Sequence, residues 1–297
     1  VIIEHDKKTK LTAILWDSVA EPAALPHAAN LWLDPDRASN SAQWCSEMSH
    51  YADDPEWLGV KTFKEFNERL THGWADGAKK IDEVAIRELS NPTSVRRRRV
   101  KADQGDEVDM QAVYRGDMSR AWTKTRRQSR ATVRTVCVVI DLCASCNVKS
   151  SQLFWRGAAA LKLAQSLTDS GYNVAIYGAA GSKDADNMGE KLNVGQFVEI
   201  KAEDSPLDMD KLAALTGMGG FFRTSMFVGI AFAADQFGRR ANESMGTPRQ
   251  QYIYEAAKML PIPQNIIIQK PVLDKESAEA WIEETLAAIE NPVLEAA

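Results

Sequence analysis

Asp141, Cys143 and Ser145 stand at alternate positions directly behind a short apolar run, and Cys146 follows at once. A carboxylate and two hydroxyls at that spacing would hold one side of a hard cation such as Mg2+ or Mn2+, which takes oxygen ligands in octahedral array. Here the middle donor is a thiol, which is softer than a hydroxyl. Thr224, in Arg223-Thr224-Ser225 ahead of a helical stretch, is the best further hydroxyl, and Asp274 is a weaker carboxylate candidate. Cys143-x-x-Cys146 could instead bind zinc or act as a redox pair. Zinc would need two more ligands, for which Cys45 and His50 are the only suggestive pair. The plain alternative is a loop without metal, in which Asp141 only caps its own turn. His5, His27, His50 and His72 all lie in the first quarter of the chain, so a nucleophile at Ser145 or Cys143 lacks an evident base.

Val136–Ile140 is a continuous apolar run, as in a strand buried on both faces of a sheet. A helical stretch follows from about Ser151 to Ser170 and is stopped by Gly171. A second apolar run, Val174–Tyr177, ends in Gly178-Ala179-Ala180-Gly181. Strand, polar loop, helix, glycine, strand is one βαβ unit. Ligands of such sheets sit beyond the carboxyl ends of the strands, where Asp141 is placed.

This stretch resembles the first half of a von Willebrand factor A (vWA) domain, whose adhesion site carries Asp-x-Ser-x-Ser after its first strand. The match here is Asp141-x-Cys143-x-Ser145. The resemblance implies a mostly parallel sheet with helices on both faces, and a metal site that is degenerate or lost. It also implies partners among proteins, such as an ATPase of the AAA+ class. More loosely, a Gly-Trp helix, a Gly-Asp-x-Val-Asp element and a vWA-like core resemble a family of uncharacterised bacteriophage proteins. That implies a virion or host-cytoplasm setting.

A second constellation is basic. Arg96, Arg97, Arg98, Arg99 and Lys101 are followed by the acidic stretch Asp103–Asp109. Another basic stretch, Arg115–Arg134, includes Lys124, Arg126, Arg127 and Arg130 around Trp122. These residues could contact phosphates, and Trp122 could stack on an exposed base. The bland reading is a solvated face neutralised by the nearby acids. Val95–Ala102 and Glu107–Val113 read either as the two arms of a hairpin about the Gly105-Asp106 turn or as edge strands.

Elsewhere, Leu11–Trp16 reads as a strand within a proline-punctuated arm, and Thr62–Leu89 has helical periodicity with Thr62 as N-cap. Phe197–Ile200 alternates like an edge strand, Phe221–Phe237 reads as one buried helix, and Glu276–Glu290 as an amphipathic one. The glycine clusters at 178–181 and 217–220 lack the Lys-Ser/Thr of a phosphate-cradling loop. A net charge of −5 argues against a wholly basic nucleic-acid coat, and no apolar run reaches the roughly 20 residues that span a bilayer. So few cysteines in so long a chain make no disulfide framework. The expected division is an irregular arm (1–54), a helical segment (55–92) and a vWA-like α/β domain (93–297). The expected function is a non-catalytic interaction or assembly module, against the alternative of a nucleic-acid binder using Arg96–Arg134.

Overall fold

The computed structural model describes residues 1–25, 55–87, 89, 96–102, 107–118, 121–128, 135–144, 147–183, 193–221, 223, 226–236, 250–263 and 265–290. In chain order the elements begin with β1 (Ile2–Asp6), β2 (Leu11–Trp16) and α1 (Ala20–Ala24). Three helices follow: α2 (Pro55–Leu58), α3 (Phe63–His72) and α4 (Ala75–Ile81). Next come β3 (Arg96–Ala102), β4 (Glu107–Val108), α5 (Met110–Tyr114) and β5 (Trp122–Gln128). The central unit is β6 (Thr135–Asp141), α6 (Ser150–Asp169), β7 (Asn173–Lys183) and β8 (Asn193–Lys201). The chain continues with α7 (Met209–Gly217), α8 (Gly219–Phe221), α9 (Phe227–Gln236), α10 (Gln250–Met259), β9 (Ile266–Ile268) and α11 (Lys275–Glu290). No helix among the described residues is long and apolar enough to cross a membrane.

The main sheet has six strands in the order β1-β2-β8-β7-β6-β9. β6 pairs parallel with both β7 and β9, and β2 pairs parallel with β8. The β7–β8 and β1–β2 pairs are antiparallel. The class is therefore α/β with a mixed sheet. Helices cover both faces, which explains why β6 reads as unbroken apolar sequence. Val136, Val138 and Ile140 pack with α6, α7 and α11, whereas Cys137 and Val139 pack with α10.

Several expectations are corrected. The first residues are not an irregular arm: β2 is buried at every position, and β1 and β2 extend the sheet. Residues 26–54 lie outside the described residues. β8 is internal rather than an edge strand, because β2 covers its far side. β7 runs on through Gly178–Gly181 to Lys183, so those glycines are strand positions; a Cβ at Gly178 would come within 2.6 Å of Leu142 Cδ1. The helical stretch from 62 carries Gly73 and Gly77, either of which could mark a break, and it does break at Gly73, whose φ of +88° turns the chain so that Trp74 N–H donates to Asp210 O at 2.8 Å. Finally, β3 pairs with β5 instead of hairpinning onto residues 107–113. Together with the short β4 they form a separate three-stranded sheet.

Candidate functional site

β6 carries Asp141 to the carboxyl edge of the sheet. Its side chain is fully buried, and Oδ1 accepts the Cys143 N–H at 2.9 Å, a local turn of the kind Asp favours. Oδ2 is buried and meets no geometric hydrogen-bond partner among the described residues, although the Gln250 side chain lies near enough to favour the charged form slightly. Burial pushes the Asp141 carboxyl up from its ordinary range, and the nearby Arg156 charge only partly opposes this.

Cys143 is fastened to β7. Its Sγ accepts the Gly181 N–H at 3.2 Å and donates to Gly181 O at 3.5 Å. Burial, with the Asp141 charge beside it, pushes this thiol well above its ordinary pKa, so it stays neutral. The Cys137 thiol, inside β6, is pushed up to about 12 by burial alone.

Two guanidinium groups stake the loop that follows. Arg156, on the second turn of α6 and 3% exposed, donates through Nη1 to Asp141 O at 2.7 Å and Cys143 O at 2.6 Å. Burial lowers its pKa, and the Asp141 charge opposes that shift. Gln269, just past β9, donates to Arg156 O at 2.7 Å and so braces the helix against the sheet. Arg223, 1% exposed, donates to the Val148 carbonyl at the loop's other end and to Trp57 O at 2.6 Å. Its guanidinium also lies 4.9 Å from the Trp57 ring centroid.

Asp141 and Cys143, the expected donors that lie among the described residues, do not by themselves make a site for Mg2+ or Mn2+. Cys143 Sγ has both its hydrogen-bonding roles taken by Gly181, so as placed it turns to β7 rather than to an ion. The cation nearest the loop carbonyls is the protein's own Arg156. Among the described residues no group of three or more His, Cys, Asp or Glu could hold a metal ion. Ser145 and Thr224 of the expected set lie outside the described residues, as do Cys45, His50 and Cys146 of the zinc alternative. Asp274 caps α11 instead, accepting the Ser277 N–H at 2.7 Å.

Arg156 was missed by sequence reasoning. Its signal was a charged residue inside a helix apolar almost all round: Leu153, Phe154, Gly157, Ala158, Ala159 and Ala160 are all buried beside it. A charge in that setting must be paired or hydrogen-bonded.

The basic residues are brought together by backbone pairing. In the β3–β5 register Arg97 stands opposite Arg127, Arg98 opposite Arg126 and Lys101 opposite Thr123. Arg96 faces Gln128 and Arg99 faces Thr125. Trp122, half-buried, lies at the far end between Ala102 and Val108. Beyond it α5 begins, capped by Asp109, whose carboxylate accepts the Gln111 and Ala112 N–H groups. Along this segment Val108, Met110, Tyr114 and Met118 are each exposed, Tyr114 at 83%.

A hollow of about 390 Å3 opens at the start of α6, lined in part by Trp74, Phe154, Lys80 and Lys149. Both its lysines are engaged: Lys149 pairs with Glu56 at 2.8 Å, and Lys80 Nζ lies 4.5 Å from the Phe154 ring centroid.

No curated protein and no solved structure matches the chain. A family model does match, over residues 15–291, which takes in all of the main sheet from the end of β2 onward and the small basic sheet. On that match the chain belongs to the family described as the domain of unknown function DUF7192.

Proposed function

We propose that this chain is a non-catalytic interaction and assembly module that docks a protein partner through the segment around α5. The observation that carries the reading is the run of exposed apolar side chains Val108, Met110, Tyr114 and Met118. Met110 and Tyr114 are four residues apart on one helix and share a face. Exposed apolar groups gathered in this way mark interaction sites, whereas singly scattered ones are ordinary.

The closed loop after β6 supports the same reading. In the vWA family that the stretch resembles, a partner's carboxylate completes an open metal site. Here Asp141 is fully buried and Arg156 already holds the loop carbonyls, so the contact surface has moved elsewhere. The resemblance makes an AAA+ ATPase or a virion protein the partner class, and a phage-infected cell or a virion the setting.

The test is a pull-down of purified candidate partners in Mg2+ and in EDTA. The Met110→Ser/Tyr114→Ser double variant and Asp141→Asn are run alongside. The expected result is that the partner stays in both buffers and with Asp141→Asn, and is lost with the α5 variant. Loss in EDTA together with loss in Asp141→Asn would show instead that the loop still works as a metal-dependent adhesion site.

A further inference from the structure

The small sheet is unusual in its charge. β3 is Arg-Arg-Arg-Arg-Val-Lys-Ala and β5 is Trp-Thr-Lys-Thr-Arg-Arg-Gln. In an antiparallel pair, opposed residues share a face and successive residues alternate between faces. Arg97, Arg99, Lys101 and Arg127 therefore fall on one face of the ribbon, and Arg96, Arg98, Lys124 and Arg126 on the other. Both faces carry cationic positions toward the Arg96↔Gln128 end; at the other end the second face carries the apolar positions Val100, Ala102 and Trp122, with Val108 opposite Trp122, so the charged end projects from an apolar root. The single acidic residue at a register position, Glu107, faces Thr123 at the far end. Two arginine pairs stand directly opposed, an arrangement that costs stability in isolation.

We infer that this ribbon binds duplex DNA by entering the major groove. A sheet that met an acidic protein surface would need one cationic face. Two cationic faces match a partner that presents phosphates on both sides of the ribbon at once. The B-DNA major groove is about 12 Å wide and admits a two-stranded ribbon between its two phosphate walls. The major groove of duplex RNA is too narrow and deep, and single strands have no second wall. The juxtaposition of Arg97 with Arg127 and of Arg98 with Arg126 supplies charge to each wall. The contact is mainly to phosphate, so it is largely independent of sequence and steeply dependent on salt.

The experiment is a fluorescence-anisotropy titration of a labelled random-sequence duplex with the full chain over a salt series. Unlabelled single-stranded DNA, duplex RNA and phosphatidylserine vesicles serve as competitors. If about four phosphates are contacted, affinity falls roughly a hundredfold between about 50 and 200 mM salt. Arg97→Glu and Arg98→Glu, one on each face, each weaken binding by about tenfold at low salt and reduce the salt slope by about one phosphate. Each substitution places an acid opposite an arginine, so the strand pair is kept and loss of fold is not the cause. A major-groove dye competes and a minor-groove drug does not. The inference is overturned if the duplex does not bind at low salt, or if single strands, duplex RNA or vesicles compete equally well. It is also overturned if only one of the two reversals matters, since that would mean a one-faced contact.

Discussion

At the scale of single residues, the loop after β6 is held by side chains from the helices around it. Arg156 holds two carbonyls that would otherwise be buried without donors. Hydrogen bonds to a charged group contribute about 1.5–3 kcal/mol each, so Arg156→Met should lower stability by about 3 kcal/mol or more, read as a drop in the urea midpoint. A midpoint within error of the parent would mean the guanidinium is dispensable. The two described thiols make a second prediction. An unfolded thiol ionises near 9, whereas Cys137 in the fold does so at about 12 and Cys143 well above 9. Their contribution to stability is therefore complete below pH 9 and is lost as pH rises from 9 toward 12. Urea midpoints should fall across that window, and Cys137→Ala should flatten the fall. At pH 8 both thiols should be silent to a thiol reagent until the protein unfolds. Asp141 at the strand end was legible in the sequence because apolar runs and polar stops are local signals. The role of Arg156 was not, because a basic residue in a helix ordinarily faces water, and only the tertiary packing turns this one inward.

At the scale of elements, local chemistry foretold which segments are helices and strands better than which strands are neighbours. α6 begins and ends almost where its pattern and Gly171 place it. β8 alternates like an edge strand yet lies inside the sheet, because its polar Gln196 is satisfied by tertiary partners. Gln196 accepts from Trp16 Nε1 at 3.2 Å and donates to Met226 O at 2.6 Å, tying β2, β8 and the approach to α9 together. Gln196→Leu leaves both partners buried and unmatched, and should cost roughly 2 kcal/mol of unfolding free energy. The pairing of β3 with β5 likewise skips the nearer turn signal at Gly105-Asp106, since sequence pattern does not specify register between two polar strands. Gly157 tests packing against propensity. An Ala in a helix is ordinarily worth about 1 kcal/mol over Gly, but a Cβ at 157 would come within 2.3 Å of Thr216 O on α7. Gly157→Ala should therefore destabilise rather than stabilise, by roughly 1–3 kcal/mol. A raised melting temperature would mean that α6 and α7 can separate at low cost.

At the scale of the whole molecule, the division that composition implies cuts through the core. A boundary near 93 would separate an α/β domain from everything before it, yet β2 lies between β1 and β8, pairing with β8 from Leu11↔Asn193 to Trp16↔Val198. Leu11, Ala13 and Leu15 enter the layer beneath α10, while Ile14 and Trp16 enter the opposite layer. Trp57, Leu58, Phe66 and Ile81 are buried in that second layer as well. A fragment of residues 93–297 would therefore expose one whole side of β8 and strip apolar cover from both faces of the sheet. Burial of large apolar side chains contributes about 1.5–3 kcal/mol each, so losing this many exceeds the roughly 5–15 kcal/mol by which a domain is ordinarily stable. The fragment should show helical far-UV dichroism without near-UV structure, bind a hydrophobic dye and be cut rapidly by protease, whereas residues 1–297 should unfold in one transition. Supplying residues 1–92 as a separate chain should restore near-UV structure, because the missing strand and helices can dock where they belong. If the fragment alone unfolds cooperatively with native near-UV bands, the N-terminal strands are an addition to a self-sufficient domain, and the boundary near 93 is real.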